Sequence, residues 1–282
     1  GVLTRLWKQQ RPDIVHIATE GLLGWSALSA ARKLNIPVST DYHTNFHSYS
    51  QHYGIGLLKK PIAAYLRHFH NKAACTMVPT DSLQQQLVHE GYRNVLVVSR
   101  GVDAALFHPA RRDVELRASW GADETTPVVI VVSRIAVEKN LHVVIQAFEQ
   151  MRAVDPRARL VMVGDGPARA DLQKQYPHVI FTGMQTGELL ARHYASGDIF
   201  LYPSLTETYG NVTVEAMASG LATVAYDYAA ARQRIRHEVN GLLAPFGDTE
   251  AFVAQARGLI GDMARVRRIG AAARRSGESL TG

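Results

Sequence analysis

The chain has 282 residues, 46% of them hydrophobic and 20% charged, a composition that excludes a disordered or collagen-like polypeptide and leaves room for two domains. Lysine and arginine number 31 against 25 aspartate and glutamate, a formal charge of +6. That balance permits an anionic partner without choosing among nucleic acid, a phosphorylated substrate and a membrane surface. The one cysteine, Cys75, excludes an intrachain disulfide and predicts a cytoplasmic location.

No apolar run approaches the ~18–20 residues of a membrane span, and the first eight residues lack a signal-peptide core. The chain does not begin with methionine, which reads as a fragment. In chain order, residues 13–17 predict a strand, 22–34 a helix and 36–40 a strand. Residues 57–70 have helical spacing interrupted by Pro61. Residues 75–78 predict a strand, followed by a helix that Asp81 or Ser82 caps and Gly91 ends, and 94–98 predict another strand. Residues 101–127 contain Pro109, Arg111, Arg112, Gly121 and Pro127 with little periodicity. They read as the connection between domains, with a short helix at 115–120.

Alternation then restarts. Residues 128–132 are Val-Val-Ile-Val-Val, apolar at every position, as in a strand buried on both faces of a parallel sheet. A helix follows from Asn140, with Leu141, Val144, Ile145, Phe148 and Met151 on one stripe. Strands at 160–163, 179–182, 199–202 and 223–226 alternate with helices at 170–176, 187–195, 211–219 and 229–238. The predicted class is α/β, with two facing Rossmann-like domains built on parallel sheets. The divisions are 1–108, a linker at 109–126, a second domain at 127–262 and a helical tail at 263–282. Ligands of such sheets lie beyond the carboxyl ends of the strands.

Four constellations sit at such ends. Glu207-Thr208-Tyr209-Gly210-Asn211 follows the 199–202 strand, and Glu215 lies one turn into the next helix. Gly210 allows close backbone approach and Asn211 is the expected N-cap. The helix start suits a phosphate, and the eight-residue spacing, roughly 12 Å along a helix, lets two carboxylates grip hydroxyls on either side of a diphosphate. The alternative is a loop charge and a solvated helix residue. In Ser133-Arg134-Ile135-Ala136-Val137-Glu138-Lys139-Asn140, Arg134 and Lys139 are suited to neutralise a diphosphate as charge develops. Here the alternative is that Glu138 pairs with one of them at the surface. Val163-Gly164-Asp165-Gly166-Pro167 reads first as a tight turn, although its glycines also admit a ligand. In Asp41-Tyr42-His43-Thr44-Asn45-Phe46-His47, His43 reads as a hydrogen-bond partner of a sugar or acceptor, or as a structural histidine. His43 and His47, four residues apart with His52 following, could suggest zinc, but no paired Glu motif is present and the segment does not read as a helix, so no metal is expected.

Residues 54–70 are basic, aromatic and amphipathic. A helix packed on its own sheet with a solvated basic face accounts for them, and contact with an anionic membrane is the other reading. No stacking stripe or module for nucleic acid is present, and neither is a dinucleotide or P-loop fingerprint.

Together these strings resemble the retaining GT-B glycosyltransferases with an E-x7-E motif, family 4. The resemblance runs from about residue 12 to about residue 260. It includes Gly101-Val102-Asp103 with Phe107 and Pro109, the 133–140 and 163–167 strings, the Glu207/Glu215 pair, Gly220, Asp227 and Asn240-Gly241-Leu242-Leu243. It implies a nucleotide-sugar donor, GDP-mannose or a UDP-sugar, and no other cofactor. Arg134 and Lys139 would hold the diphosphate, and Glu207 with the backbone of Tyr209, Gly210 and Asn211 would hold the sugar. Glu215 would hold the ribose, the base would lie near Met184 and Gln185, and Gly164 and Val212 would be further donor-binding positions. His43 would contact the transferred sugar. Transfer would retain configuration, with the leaving phosphate helping to deprotonate a lipid or glycan acceptor at the inner membrane face.

Residues 41–54 are similar to those of bacterial GDP-mannose-dependent α-mannosyltransferases and sulfoquinovosyl- or glucosyl-lipid synthases. Family members begin with a strand and Gly-rich loop and end with a further helix. Both are missing here, so the resemblance predicts a chain truncated at both ends with an incomplete first domain. Tyr226-Asp227-Tyr228-Ala229-Ala230-Ala231 stands where relatives often carry glycines. A nucleotide-sugar 2-epimerase of the same architecture and a non-catalytic nucleotide-sugar-binding fragment are the alternatives.

Overall fold

The computed structural model describes residues 1–42 and 59–280, and the chain divides into two compact units, Gly1–Ser99 and Arg100–Gly282. The first contains a four-stranded parallel sheet whose spatial order follows the sequence: Val15–Ile17, Val38–Asp41, Cys75–Val78 and Val95–Val97. Between the first two strands runs the helix Leu22–Lys33, which buries Leu28 and Ala31.

The helix Lys59–His70 carries Pro61 in its first turn. The missing proline N–H has no intrahelical partner there in any case, so Pro61 does not interrupt this helix; Leu57 and Leu58 lie outside the described residues. It buries Leu66, Phe69 and His70 and exposes Lys60, Arg67 and His68, the arrangement of a helix packed on its own sheet with a basic outer face. His70 is tied to Thr40 Oγ1 through Nδ1 at 2.9 Å and to Glu20 Oε1 through Nε2 at 3.2 Å. The next helix, Asp81–His89, is capped by Thr80 and not by Asp81 or Ser82. Thr80 is extended and its Oγ1 accepts from Leu83 N at 3.2 Å. Asp81 then falls inside the first turn, where the helix dipole favours a carboxylate.

The second unit holds a six-stranded parallel sheet. Its spatial order is Leu242–Ala244, Ala222–Tyr226, Ile199–Tyr202, Val128–Val132, Arg159–Val163, Ile180–Gly183. The edge strand Leu242–Ala244 has only three residues, too few for periodicity to announce it. Both faces are covered, and the pleat divides the apolar strands between two cores. Val129, Val131, Leu160, Met162, Ile199 and Leu201 enter one, beneath the helices Leu141–Val154 and Thr249–Ile260. Val128, Ile130, Val132, Val161, Val163, Phe200 and Tyr202 enter the other. Alternation every second residue is what a pleated strand imposes.

The aperiodic stretch 101–127 packs into the second core through Val102, Phe107, Trp120 and Ala122. It includes the short helix Val114–Ser119, capped by Asp113. The last helix, Met263–Glu278, buries Val266, Ile269, Gly270, Ala273 and Gly277.

Candidate active site

The strands Val128–Val132 and Ile199–Tyr202 are neighbours, but the chain leaves them in opposite directions. From the first it proceeds to 159–163 and 180–183; from the second it proceeds to 222–226 and 242–244. The space outside their carboxyl ends is the topological switch point, where loops diverge and leave a crevice. The loops leaving it are 133–140 and 203–210.

Two bonds join these loops. A 3₁₀ turn, Val137–Lys139, ends at Asn140 in the left-handed region with φ 57°. Asparagine tolerates that conformation better than most residues. Asn140 starts the helix Leu141–Val154 without a side-chain cap bond, and its buried amide donates to the Pro203 carbonyl at 3.2 Å. Beside it, Lys139 Nζ donates to Glu207 Oε1 at 2.5 Å. The same oxygen accepts from Tyr202 OH at 2.5 Å and Ser204 Oγ at 2.7 Å. Lys139 and Glu207 are only 17% and 15% exposed, so the carboxylate is largely desolvated, and these donors replace lost water. Burial and the nearby Glu207 charge push the Tyr202 phenol well above its usual pKa, which keeps it a donor.

Glu207 is therefore neither a loose loop charge nor a surface ion. Glu138 is buried too: it faces the half-exposed Arg134 at 3.4 Å, with 4% of its side chain accessible against 53% for the arginine. Lys139 pairs with Glu207, so the pairing considered for Glu138 forms with Arg134 alone, and from a buried carboxylate.

Gly210, with φ 92°, is the N-cap of the helix Asn211–Ala218. Asn211, expected as the cap, is instead the first helical residue and exposed. The left-handed turn needs a glycine, and it places the helix start one residue earlier. With no side-chain cap, the helix offers first-turn N–H groups to an anion. Glu215, one turn in, accepts from Tyr194 OH at 2.9 Å. Its carboxyl is raised above its usual pKa by burial, unlike a solvated helix residue.

On the other side of the switch point lies a cavity of about 610 Å³. Arg134, Gly164, Met184 and Gln185 are among its lining residues. Gly164 (φ 137°) also has a packing task, since a Cβ there would stand 1.9 Å from the Ser133 carbonyl oxygen. The 163–167 turn is laced to the 133–135 segment by Ser133 N→Val163 O at 3.1 Å and Ile135 N→Asp165 O at 2.9 Å.

The remaining predicted positions are placed differently. Tyr209 is 2% exposed; its hydroxyl donates to Arg100 O at 3.0 Å and its carbonyl accepts from Ala230 N at 2.8 Å. Val212 packs against the second core. His43, with His47 and His52, lies outside the described residues. Among the described residues no three His, Cys, Asp or Glu side chains group as a metal site.

Sequence reasoning missed Tyr202, Ser204 and Tyr194, which hold the two glutamates. The only available signal was a hydroxyl-bearing residue closing the apolar run Ile199-Phe200-Leu201-Tyr202 at the sheet's ligand end.

Comparison with known proteins gives the family and the fold. Residues 1–106 match the family model for glycosyltransferase family 4, and residues 126–262 match that for glycosyl transferases group 1. The chain is 37% identical over 266 residues to a GDP-mannose-dependent α-mannosyltransferase of Mycolicibacterium smegmatis, covering 94% of this chain and 68% of the relative. It is 35% identical over 278 residues to a sulfoquinovosyl transferase of Arabidopsis thaliana, covering 95% and 54%. The chain spans between 54% and 68% of the length of the first curated relatives it matches. Among solved structures, sucrose-phosphate synthase from Thermosynechococcus elongatus superposes with a TM-score of 0.83 at 21% identity, covering 99% of this chain and 72% of that one. Anabaena HepE, in complex with UDP and glucose, gives 0.83 at 20%, covering 99% and 77%. The chain belongs to glycosyltransferase family 4, and its fold is GT-B.

Proposed function

We propose that this chain transfers a hexose, mannose in the first instance, from a nucleoside diphosphate sugar to a lipid or glycan acceptor, retaining the anomeric configuration. The observation that carries the reading is the Lys139–Glu207 pair spanning the switch point, a cation and a carboxylate held at hydrogen-bond distance where such sheets bind ligands. The names of the relatives support the chemistry. GDP-mannose-dependent α-mannosyltransferases of three actinobacterial species are 35–38% identical to the chain. An α-monoglucosyldiacylglycerol synthase of Streptococcus pneumoniae is 32% identical.

In this reading residues 127–262 bind the donor. Lys139 and Arg134 hold the diphosphate with the uncapped start of the Asn211–Ala218 helix, and they stabilise the charge that develops there as the glycosidic bond breaks. Glu207 takes hydrogen bonds from sugar hydroxyls, and Glu215 takes them from the ribose. The base occupies the cavity beside Met184 and Gln185. His43 meets the transferred sugar, and the leaving phosphate accepts the acceptor's proton. No metal takes part. The enzyme works in the cytoplasm, peripheral to the inner face of the membrane; no helix among the described residues is long and apolar enough to cross one.

The test is calorimetric titration with GDP, UDP and ADP, first without metal and then with Mg²⁺. Metal-independent binding of GDP in preference to the others is expected. Binding of none of them would overturn the donor site.

A further inference from the structure

The side chains of the segment after the strand Ala222–Tyr226 lie against the site. Tyr228 OH donates to the Glu207 main-chain carbonyl at 2.8 Å. Its ring lies against Phe246, from the loop after Leu242–Ala244, with centroids 4.9 Å apart. Phe246 is 52% exposed and also meets Tyr226 edge-on at 6.1 Å.

The backbone is committed to this arrangement. Asp227 N donates to Ala244 O at 2.8 Å, and Ala230 N donates to Tyr209 O at 2.8 Å. Ala229 is held at φ 50°, a left-handed conformation that strains a non-glycine residue. A loop that keeps this strain while placing one hydroxyl on one carbonyl is over-determined by its surroundings.

We infer that Tyr228, braced by Phe246, is a positioning residue that fixes Glu207 for the hexose end of the donor. This inference rests on the proposed role of Glu207. Glu207 is then held from both ends. Lys139, Tyr202 and Ser204 fix its carboxylate, while Tyr228 fixes its main chain from the loop of the next strand. Loss of the phenol releases the main chain and lets the carboxylate drift relative to the sugar hydroxyls. An error of about 1 Å at such a site is enough to weaken recognition. The proposed diphosphate ligands Arg134 and Lys139 come from a different loop, the one after Val128–Val132.

The inference predicts a split between nucleotide and sugar. The probes are GDP and GDP-mannose, or UDP and UDP-glucose if the unmodified chain prefers uridine. They are titrated into that chain, Tyr228→Phe and Phe246→Ala, with a thermal midpoint recorded for each. The diphosphate alone should bind all three within about twofold. The sugar nucleotide should bind Tyr228→Phe at least about fivefold more weakly, and Phe246→Ala should lose affinity in the same direction. Equal weakening of diphosphate and sugar nucleotide, accompanied by a lowered midpoint, is the pattern of a merely structural tyrosine and would overturn the inference. So would an unchanged affinity of Tyr228→Phe for the sugar nucleotide. If the unmodified chain binds no nucleoside diphosphate, the donor-site proposal itself fails, and this inference fails with it.

Discussion

At the scale of single residues, the site depends on charges removed from water and then given partners. Lys139 is the clearest case: Lys139→Ala should lose transfer and weaken GDP binding, since the variant removes a cation from the diphosphate and leaves Glu207 with only hydroxyl donors. Calorimetry reads this directly, and parental GDP affinity in the variant would refute the diphosphate assignment. Glu215 makes the opposite compromise. Its folded pKa lies above the unfolded value because burial disfavours the charge. The protonated form is therefore compatible with the fold at low pH, and ionisation costs stability as pH rises through the folded value. Glu215→Gln keeps an acceptor for Tyr194 and removes the charge. It should raise the thermal midpoint at pH 7, gain less towards pH 4.5, and bind nucleotide more weakly. The residue types and order of this site were legible because Glu207, Gly210 and Glu215 bracket a strand-to-helix junction. Their environment was not, since burial of Glu138 and the convergence of three donors on one oxygen are tertiary facts. A one-residue difference in cap position between Asn211 and Gly210 is likewise decided by backbone conformation, which composition does not specify.

At the scale of elements, legibility followed periodicity. The all-apolar strand Val128–Val132 declared itself, whereas residues 101–127 showed no repeat and read as a connection. Besides the apolar side chains that enter the second core, a buried cation ties them to the second unit. Arg117 is 1% exposed and reaches Asp123 O at 2.6 Å, Thr126 O at 2.7 Å, Ser196 O at 2.7 Å and Asp198 Oδ2 at 3.2 Å. Asp198 Oδ2 also accepts from Val128 N at 2.8 Å, so the guanidinium links the connection to the first strand of the sheet. Arg117→Met should cost about 3–5 kcal/mol because the buried carboxylate and carbonyls lose their donor. In a unit of this size that is a fall of roughly 6–20 °C in its thermal midpoint. His193 packs beside the same segment. It lies 5.7 Å from the Trp120 ring and donates through Nδ1 to Leu189 O at 2.7 Å in the tautomer this bond requires. Burial lowers its pKa below the ordinary histidine value, so the unfolded chain takes up the proton first as pH falls. Stability is lost from about pH 6.5 downward until the folded pKa is reached. The midpoint should therefore drop more between pH 7.5 and 5.5 in the parent than in His193→Phe, and equal slopes would refute it.

At the scale of the whole molecule, the two units differ in what they hold. Residues 1–99 carry ten lysines and arginines against five acids, and residues 100–282 carry 21 against 20. Nearly all of the excess charge therefore belongs to the first unit. The cations proposed to bind phosphate in the second are local placements against a balanced background, held by the switch-point loops. The hydrophobic clusters are equally separate. Among the described residues, two lie within residues 1–99 and three within residues 100–282. Every described residue of the proposed donor site also belongs to the second unit. A ligand that binds only the folded form stabilises the unit it binds, by about 2.7 kcal/mol at a hundredfold excess over Kd. Calorimetric unfolding of the whole chain should then resolve two transitions. Saturating GDP should raise that of residues 100–282 by roughly 5–11 °C and leave that of residues 1–99 in place. Tryptophan emission distinguishes the two, because Trp120 lies in the second unit while Trp7 and Trp25 lie in the first. A shift confined to the first transition would place the nucleotide on the wrong unit. A single transition moving as a whole would mean that the two sheets unfold together, and that their separate cores do not make them separate folding units.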